Sequence, residues 1–353
     1  MTLQQLLAIE LPIIQAPMAG AQGSAMAVAV CNSGGLGSLP GAMLSAETLG
    51  RELAAIKAQT SQPFNVNFFC HTPPVSNAGS WQREAAWRAT LNPYYKEFGI
   101  DAAVIPAGPG RAPFSAEFAD VLEPFKPAVV SFHFGLPSAR LLARVKSWGS
   151  KIFSSATTVD EALWLEAQAV DAIIAQGLEA GGHRGIFLSS DLTTQVGTMA
   201  LLPQVVLAVN VPVIAAGGIA DAKGVAAAMA LGACGVQVGT AYLLCPEATI
   251  SEVHRAALKS DAARHTALTN LFTGRPARGI VNRVMKELGA INAVAPDFPL
   301  AGGAIAPLRA KAESLYSGDF SPLWCGQNAS GCRQIGAGQL TRELATGQPA
   351  AVP

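Results

Sequence analysis

Apolar residues along this chain gather into short runs, each closing on glycine, proline or a polar residue before the pattern turns helical. The runs are "PIIQAPM" (12–18), "GLGSLP" (35–40), "FNVNFF" (64–69), "AVVSFHFG" (128–135), "KIFSSAT" (151–157), "DAIIAQG" (171–177), "VPVIAAGG" (211–218) and "GVQVGTAY" (235–242). Near-continuous apolar runs are what a parallel strand buried on both faces requires. Between them lie helical stretches such as "TTVDEALWLEAQAV", with a threonine cap and an acidic first turn, and "ADAKGVAAAMALGA". This alternation predicts an α/β protein built as a (β/α)₈ TIM barrel, with an open doubly wound sheet as the alternative.

Two stretches exceed a bare barrel. Residues 71–113 make an excursion after the third run, with an expected helix in "WQREAAWRATLNPYYKEFG" and a loop "PAGPGRAP". Residues 246–353 follow the eighth run and carry further helical patterns, including "ATISEVHRAALKSDAARH" and "GIVNRVMKELG". The expected organisation is a cofactor-binding barrel over 1–245 with the 71–113 insertion. A smaller, mainly helical domain and C-terminal extension over 246–353 then covers the active-site face.

Charge narrows the function. Lysine plus arginine equals aspartate plus glutamate, 24 of each in 353 residues, which gives no electrostatic case for nucleic acid or an anionic membrane. The opening residues lack the basic start of a secretory signal, and every long apolar stretch is broken by glycine or a polar group. The six cysteines show no CxxC pair or zinc spacing. Reduced thiols, no metal and a cytoplasmic location are therefore expected.

In a barrel of this kind the chemistry sits at the carboxyl ends of the strands. Polar groups and glycines gather there: Met18 in "QAPMAG", Asn67 taken as the end of the third strand, His133 at the fourth, Gln176 at the sixth, and Gln237 in "QVGT". Gly217 and Gly218 precede one helix, and Gly239 with Thr240 follows the neighbouring strand. Two such loops side by side form a phosphate cradle of backbone N–H groups. Asn67 and Gln176 carry donor and acceptor together and suit a heterocycle edge showing N–H and C=O, such as a flavin pyrimidine. In "AQGLEAGGHRG" (175–185) Gly181 and Gly182 lead to His183, the candidate for proton chemistry, since an imidazole near its unperturbed pKa can take or hold a proton at neutral pH; the sequence does not fix the His183 pKa. His133, between two phenylalanines, is either a second site residue or structural. Glu179 and Arg184 suit loop ion pairs or caps. No serine elbow, carboxylate pair or Walker loop is present, so a bound cofactor must supply the difficult chemistry.

"PIIQAPMAG", "SFHFGLP", "AQGLEAGGHRG", "VIAAGGIAD" and "GVQVGTAYL", in this order, resemble the nitronate monooxygenase family, formerly grouped as 2-nitropropane dioxygenases, in its class I branch. The resemblance implies non-covalent FMN, with its phosphate on Gly217, Gly218, Gly239 and Thr240. Asn67, Gln176, Gly181 and Gly182 would hold the isoalloxazine, with Met18 beside it and Gln237 in the same cofactor-binding set. It implies oxidation of alkyl nitronates, propionate 3-nitronate among them, by O₂ to a carbonyl product and nitrite, through one-electron transfer to FMN. His183 would orient the substrate, with His133 as the second catalytic candidate. In "GRPARG" (274–279), Arg275 and Arg278 would grip a substrate carboxylate or form an interdomain ion pair. The rival reading is an NADH-dependent flavin reductase of the enoyl-acyl-carrier-protein or quinone reductase type. A cofactor-free phosphate-handling barrel would need a lysine or carboxylate at a strand end, where this chain has amides, glycines and histidines.

Overall fold

A computed structural model describes residues 1–102, 105 and 111–346. Part of the "PAGPGRAP" loop lies outside the described residues.

The expected strands form, each from a buried run. They are β1 (Ile13–Gln15), β2 (Gly37–Pro40), β3 (Phe64–Phe69), β4 (Val129–His133), β5 (Lys151–Ala156) and β6 (Ala172–Gln176). A two-residue strand β7 (Gly182–His183) follows, then β8 (Val213–Ala216) and β9 (Gly235–Val238). Leaving β7 aside, eight strands make one parallel sheet in the order β1-β9-β8-β6-β5-β4-β3-β2. Its two ends meet: Leu36 N–H donates to Ile13 O at 2.9 Å and Gln15 N–H to Leu36 O at 3.0 Å. That seam closes the sheet into the (β/α)₈ barrel. Every residue of β3 and β6 is buried, as the apolar runs required.

The helices start where capping chemistry puts them. Thr158 caps helix Val159–Ala167 by accepting from Glu161 N–H, and Asp221 caps helix Ala222–Ala230 by accepting from Gly224 N–H. The last helix, Ala337–Ala345, packs against helices Ser24–Cys31 and Ala222–Ala230, and Thr341 Oγ1 meets Tyr242 OH at 2.8 Å. It therefore stands in the helical wall beside β1 and β9, although about a hundred residues separate it from β9.

A second apolar cluster joins the excursion to the C-terminal residues. Trp87, Leu91, Tyr94 and Tyr95 on helix Ala78–Glu97 pack with Ala304, Ile305 and Leu308 on helix Ala301–Ser314. Trp87 Nε1 donates to Ala301 O at 3.2 Å and Tyr95 OH to Ala304 O at 2.6 Å, so the buried polar tips of both rings are satisfied. The C-terminal residues also supply strands β10 (Thr266–Thr269) and β11 (Ala277–Ile280), a hairpin that helical periodicity did not announce. The hairpin adds β7 as its third strand, pairing Ala277 with His183 and Arg278 with Gly182. One end of the barrel is thus knitted to the C-terminal residues through the loop that carries His183.

Candidate functional site

A cavity of about 390 Å³ opens at the carboxyl ends of the barrel strands, within the range of about 300–1,000 Å³ usual for small-molecule sites. It gathers residues from across the sequence. Met18, Asn67, His133, Gln176, Gly181, Gly182, His183, Gly217, Gly218, Gln237, Gly239 and Thr240 all line it. Arg275 and Arg278 are not in its lining. Asn67 lies within β3, two residues before its end at Phe69, and not at the strand's end as read from the sequence. The period-two pattern of a strand cannot mark where its last hydrogen bond falls.

The loop after β6 is held by arginines. Arg184 is fully buried, giving its Nη atoms to Gly177 O at 2.7 Å and Gln176 O at 2.8 Å and its Nε to Gln195 Oε1 at 3.0 Å. Arg278 Nε donates to Leu178 O at 3.0 Å, and Arg275 donates to Ile186 O while stacking 4.0 Å from the Phe134 ring centroid. Among the described residues neither Arg275 nor Arg278 pairs with a carboxylate. This replaces the two roles read from "GRPARG": these guanidiniums satisfy loop carbonyls, which would otherwise be orphaned near the interior. Glu179 accepts from Thr198 N–H and Oγ1 at 2.8 Å each and so caps helix Thr198–Ala208.

The histidines divide the work. His133 Nε2 lies 3.1 Å from His183 O, an oxygen that can only accept, so Nε2 carries the proton. Its Nδ1 then accepts from Ser155 Oγ at 3.0 Å. Both nitrogens are committed, and burial pushes the His133 pKa down to about 4. Gln176 reinforces the arrangement: its Nε2 donates to the same His183 O at 3.0 Å and its Oε1 accepts from Gly185 N–H at 2.7 Å. A methyl on Gly185 would stand 3.0 Å from His133 Cε1 and 3.1 Å from Ser155 Cβ, which explains the last glycine of "GGHRG".

His183 differs, because among the described residues only Nε2 has a protein partner, Thr273 Oγ1 at 3.0 Å. Its ring sits among Phe69, Phe134, Phe298 and Trp324, at centroid distances of 5.9, 6.0, 5.5 and 5.6 Å. Burial holds its pKa well below the ordinary histidine range, and Arg111, His133, Arg275 and His71 push the same way. The ring, whose pKa the sequence left open, is therefore neutral at pH 7.

The rest of the lining fits a flavin. Among the described residues Gln237 Oε1 is buried with no hydrogen-bond partner, an acceptor suited to a ring N–H. Gly217 and Gly218 take φ of +116° and +73°, the left-handed backbone that turns N–H groups toward one point. Among the described residues the N–H groups of Gly218, Gly239 and Thr240 donate to no protein acceptor, as a phosphate cradle requires. Asn67 Nδ2 donates to Ser131 Oγ at 2.9 Å and Ser131 O at 3.2 Å, which leaves its Oδ1 for the cavity. Gly182, at φ +70°, would carry a Cβ into open space, whereas a Cβ on Gly181 would stand 2.5 Å from Gly326 N.

Sequence reasoning missed Thr273, Ser155, Trp324, Phe298 and Arg111. Thr273 sits between two hairpin strands, ninety residues from His183, and only the pairing of β11 with β7 brings it there. Arg111, Phe69 and Trp324 line the cavity from the excursion, β3 and the C-terminal residues.

Comparison with known proteins agrees with this geometry. A family model described as nitronate monooxygenase matches residues 1–347. A nitronate monooxygenase of Paraburkholderia phytofirmans is 42% identical over 347 residues, covering 96% of this chain and 92% of that one. One of Pseudomonas aeruginosa is 39% identical over 349 residues, covering 96% and 97%. Among solved structures, nitroalkane oxidase from Streptomyces ansochromogenes superposes with a TM-score of 0.88 at 36% identity, covering 98% and 96%. FabK from Thermotoga maritima superposes at 0.70 with 26% identity, covering 98% and 96%. The chain thus belongs to the nitronate monooxygenase family, a group of flavin-dependent oxidoreductases, and it oxidises nitronates.

Proposed function

We propose that the flavin is FMN and that the cavity at the strand ends oxidises small alkyl nitronates, propionate 3-nitronate among them, with O₂ to a carbonyl compound and nitrite. Bound FMN supplies the electron acceptor, by one-electron transfer. Everything else is the work of the chain. Gly217, Gly218, Gly239 and Thr240 offer N–H groups to the phosphate, and Gln237 Oε1 accepts from the ring edge. Met18, Asn67, Gly181 and Gly182 bound the ring, and Gln176 fixes the loop over it through His183 O and Gly185 N–H.

His183 is the group that meets substrate. Being neutral, it brings no fixed charge: with the proton on Nδ1 it donates to a nitronate oxygen, and with the proton on Nε2 its Nδ1 has the lone pair to take an α-proton from a neutral nitroalkane. His133 has no free nitrogen and acts as a positioning residue, holding His183 O against Ser155. The aromatic wall of Phe69, Phe134, Phe298 and Trp324 keeps water from the reacting carbon. All six cysteines are free thiols, which favours a reducing compartment and hence the cytoplasm.

The observation that carries this reading is the unpartnered Gln237 Oε1 in the same cavity as the unbonded N–H cradle and His183. The test is to load the protein with FMN and follow nitrite release and O₂ uptake from propionate 3-nitronate, with NADH in a parallel cuvette. Nitrite formation with slow NADH oxidation is expected. Rapid NADH oxidation without nitrite from the nitronate would instead make the protein a reductase.

A further inference from the structure

Arg111 lies where the excursion returns toward the barrel, and it lines the cavity. Its guanidinium stands 5.5 Å from the Phe298 ring centroid, and the His183 ring centroid stands 5.5 Å from the same ring. Among the described residues no carboxylate and no other acceptor engages the Arg111 guanidinium. The charge balance of the lining isolates it further. Arg309 is bonded to Glu313 at 2.9 Å, and Ser321 Oγ donates to the same carboxylate at 2.7 Å. His133, His183 and His254 are neutral at pH 7, their pKa values lowered by burial. One uncompensated positive charge remains among the described lining residues, at Arg111.

A desolvated cation without a partner is unfavourable for the fold alone, and such a group makes sense when an anion arrives to meet it. The reacting carbon belongs beside His183 and the flavin-binding residues. Arg111 reaches the same cavity from a different element, and its guanidinium and the His183 ring pack on one common ring, Phe298, so both groups face the same small space.

We propose that Arg111 is a specificity-determining residue that takes the second anionic group of the substrate, a carboxylate at the far end from the nitronate, so that dianionic nitronates are preferred over monoanionic ones. The assignment rests on the nitronate-oxidising reading of the cavity. Burial also lowers the Arg111 pKa to about 10, so the guanidinium stays charged across the working pH range and loses that charge only in strong alkali.

The test compares propionate 3-nitronate with propyl-1-nitronate, which has a methyl group in place of the carboxylate. In Arg111→Gln the ratio of the two kcat/KM values should fall at least about tenfold, carried by KM for the dianion, with part of the preference restored in Arg111→Lys. A loss shared equally by both substrates would make Arg111 a nitronate-head or structural group and overturn the proposal, as would no loss at all. Calorimetric titration of the wild type and both variants with 3-nitropropionate separates the two levels of inference. Binding at least about tenfold weaker in Arg111→Gln supports the carboxylate contact even if no nitronate is oxidised, in which case the oxidation reading falls alone. Equal binding overturns the assignment whatever the turnover.

Discussion

His183 and Thr273 meet at 3.0 Å, Nε2 to Oγ1, across the junction where β11 pairs with β7. Thr273 Oγ1 also lies 3.3 Å from Arg275 O, which can only accept. With the hydroxyl proton on that carbonyl, the oxygen accepts from His183 Nε2–H and the lone pair is left on Nδ1; with that proton turned to Nε2, the oxygen accepts from Arg275 N–H at 3.4 Å and Nδ1 carries the imidazole proton. A residue of the C-terminal hairpin thus holds, in either tautomer, an imidazole borne on a barrel loop.

Thr273→Val keeps the shape and removes the hydroxyl that holds Nε2. Nitronate kcat should fall about tenfold, the rate equivalent of about 1.4 kcal/mol, while flavin content stays at one per chain. Thr273→Ser should recover most of the rate. Steady-state kinetics beside the visible absorbance of the purified variants check both statements, and an unchanged kcat in the valine variant would detach that contact from turnover.

Gln237 gives a prediction with opposite signs in two measurements. Its buried, unpartnered Oε1 costs the flavin-free protein about 1–3 kcal/mol. Gln237→Met should therefore leave the melting temperature of the flavin-free protein unchanged or raise it, while weakening FMN binding about tenfold or more. Thermal melts without flavin, paired with an FMN titration, are sufficient. Destabilisation without loss of affinity would show that the amide serves the barrel.

How much of this was legible follows from how each element is stabilised. β3 and β6 could be read because a strand buried on both faces is written in its own residues, "FNVNFF" and "AIIAQ". The cradle glycines could be read because a left-handed turn demands glycine locally. β7 could not, since two residues, Gly182 and His183, become a strand only when Ala277 and Arg278 pair with them. Arg275 and Arg278 were misjudged for a related reason: a guanidinium's charge suggests a carboxylate, and nothing in "GRPARG" says that loop carbonyls will be nearer. The depressed pKa of His183 likewise belongs to the wall around it, assembled from Phe69, Phe298 and Trp324.

The paired glycines before His183 should respond differently to one methyl group. At Gly182 the Cβ meets nothing within 4 Å, so alanine there costs only the left-handed backbone, about 1–2 kcal/mol, but it fills cavity space. Gly182→Ala should fold and bind FMN weakly. At Gly181 the Cβ would stand 2.5 Å from Gly326 N and 2.7 Å from Cys325 C, backbone that cannot rotate aside. Gly181→Ala should lower the melting temperature of the flavin-free protein more than Gly182→Ala does. The reverse order would mean that the 325–326 segment moves away freely.

The buried imidazoles set the acid limit of the fold. Burial lowers the pKa of His133 and of His254 from 6.5 to about 4, and that of His183 falls well below its ordinary value. Between pH 6.5 and 4 the unfolded chain binds protons at these rings that the folded chain does not. The unfolded state is therefore favoured as pH falls, and stability is fullest above the unfolded pKa. At pH 5 each fully protected imidazole removes about 2 kcal/mol relative to pH 7. His254 is the clean probe because its Nε2 is bonded to Trp324 O at 3.0 Å and it carries no assigned chemistry. His254→Gln can still donate to that carbonyl but cannot titrate. Its melting temperature should drop less than the wild type's between pH 7 and pH 5, by about one imidazole's share. Equal drops would mean that the His254 ring takes up its proton in the fold, opening toward the cavity it lines, and that the acid sensitivity resides in the His133–His183 pair.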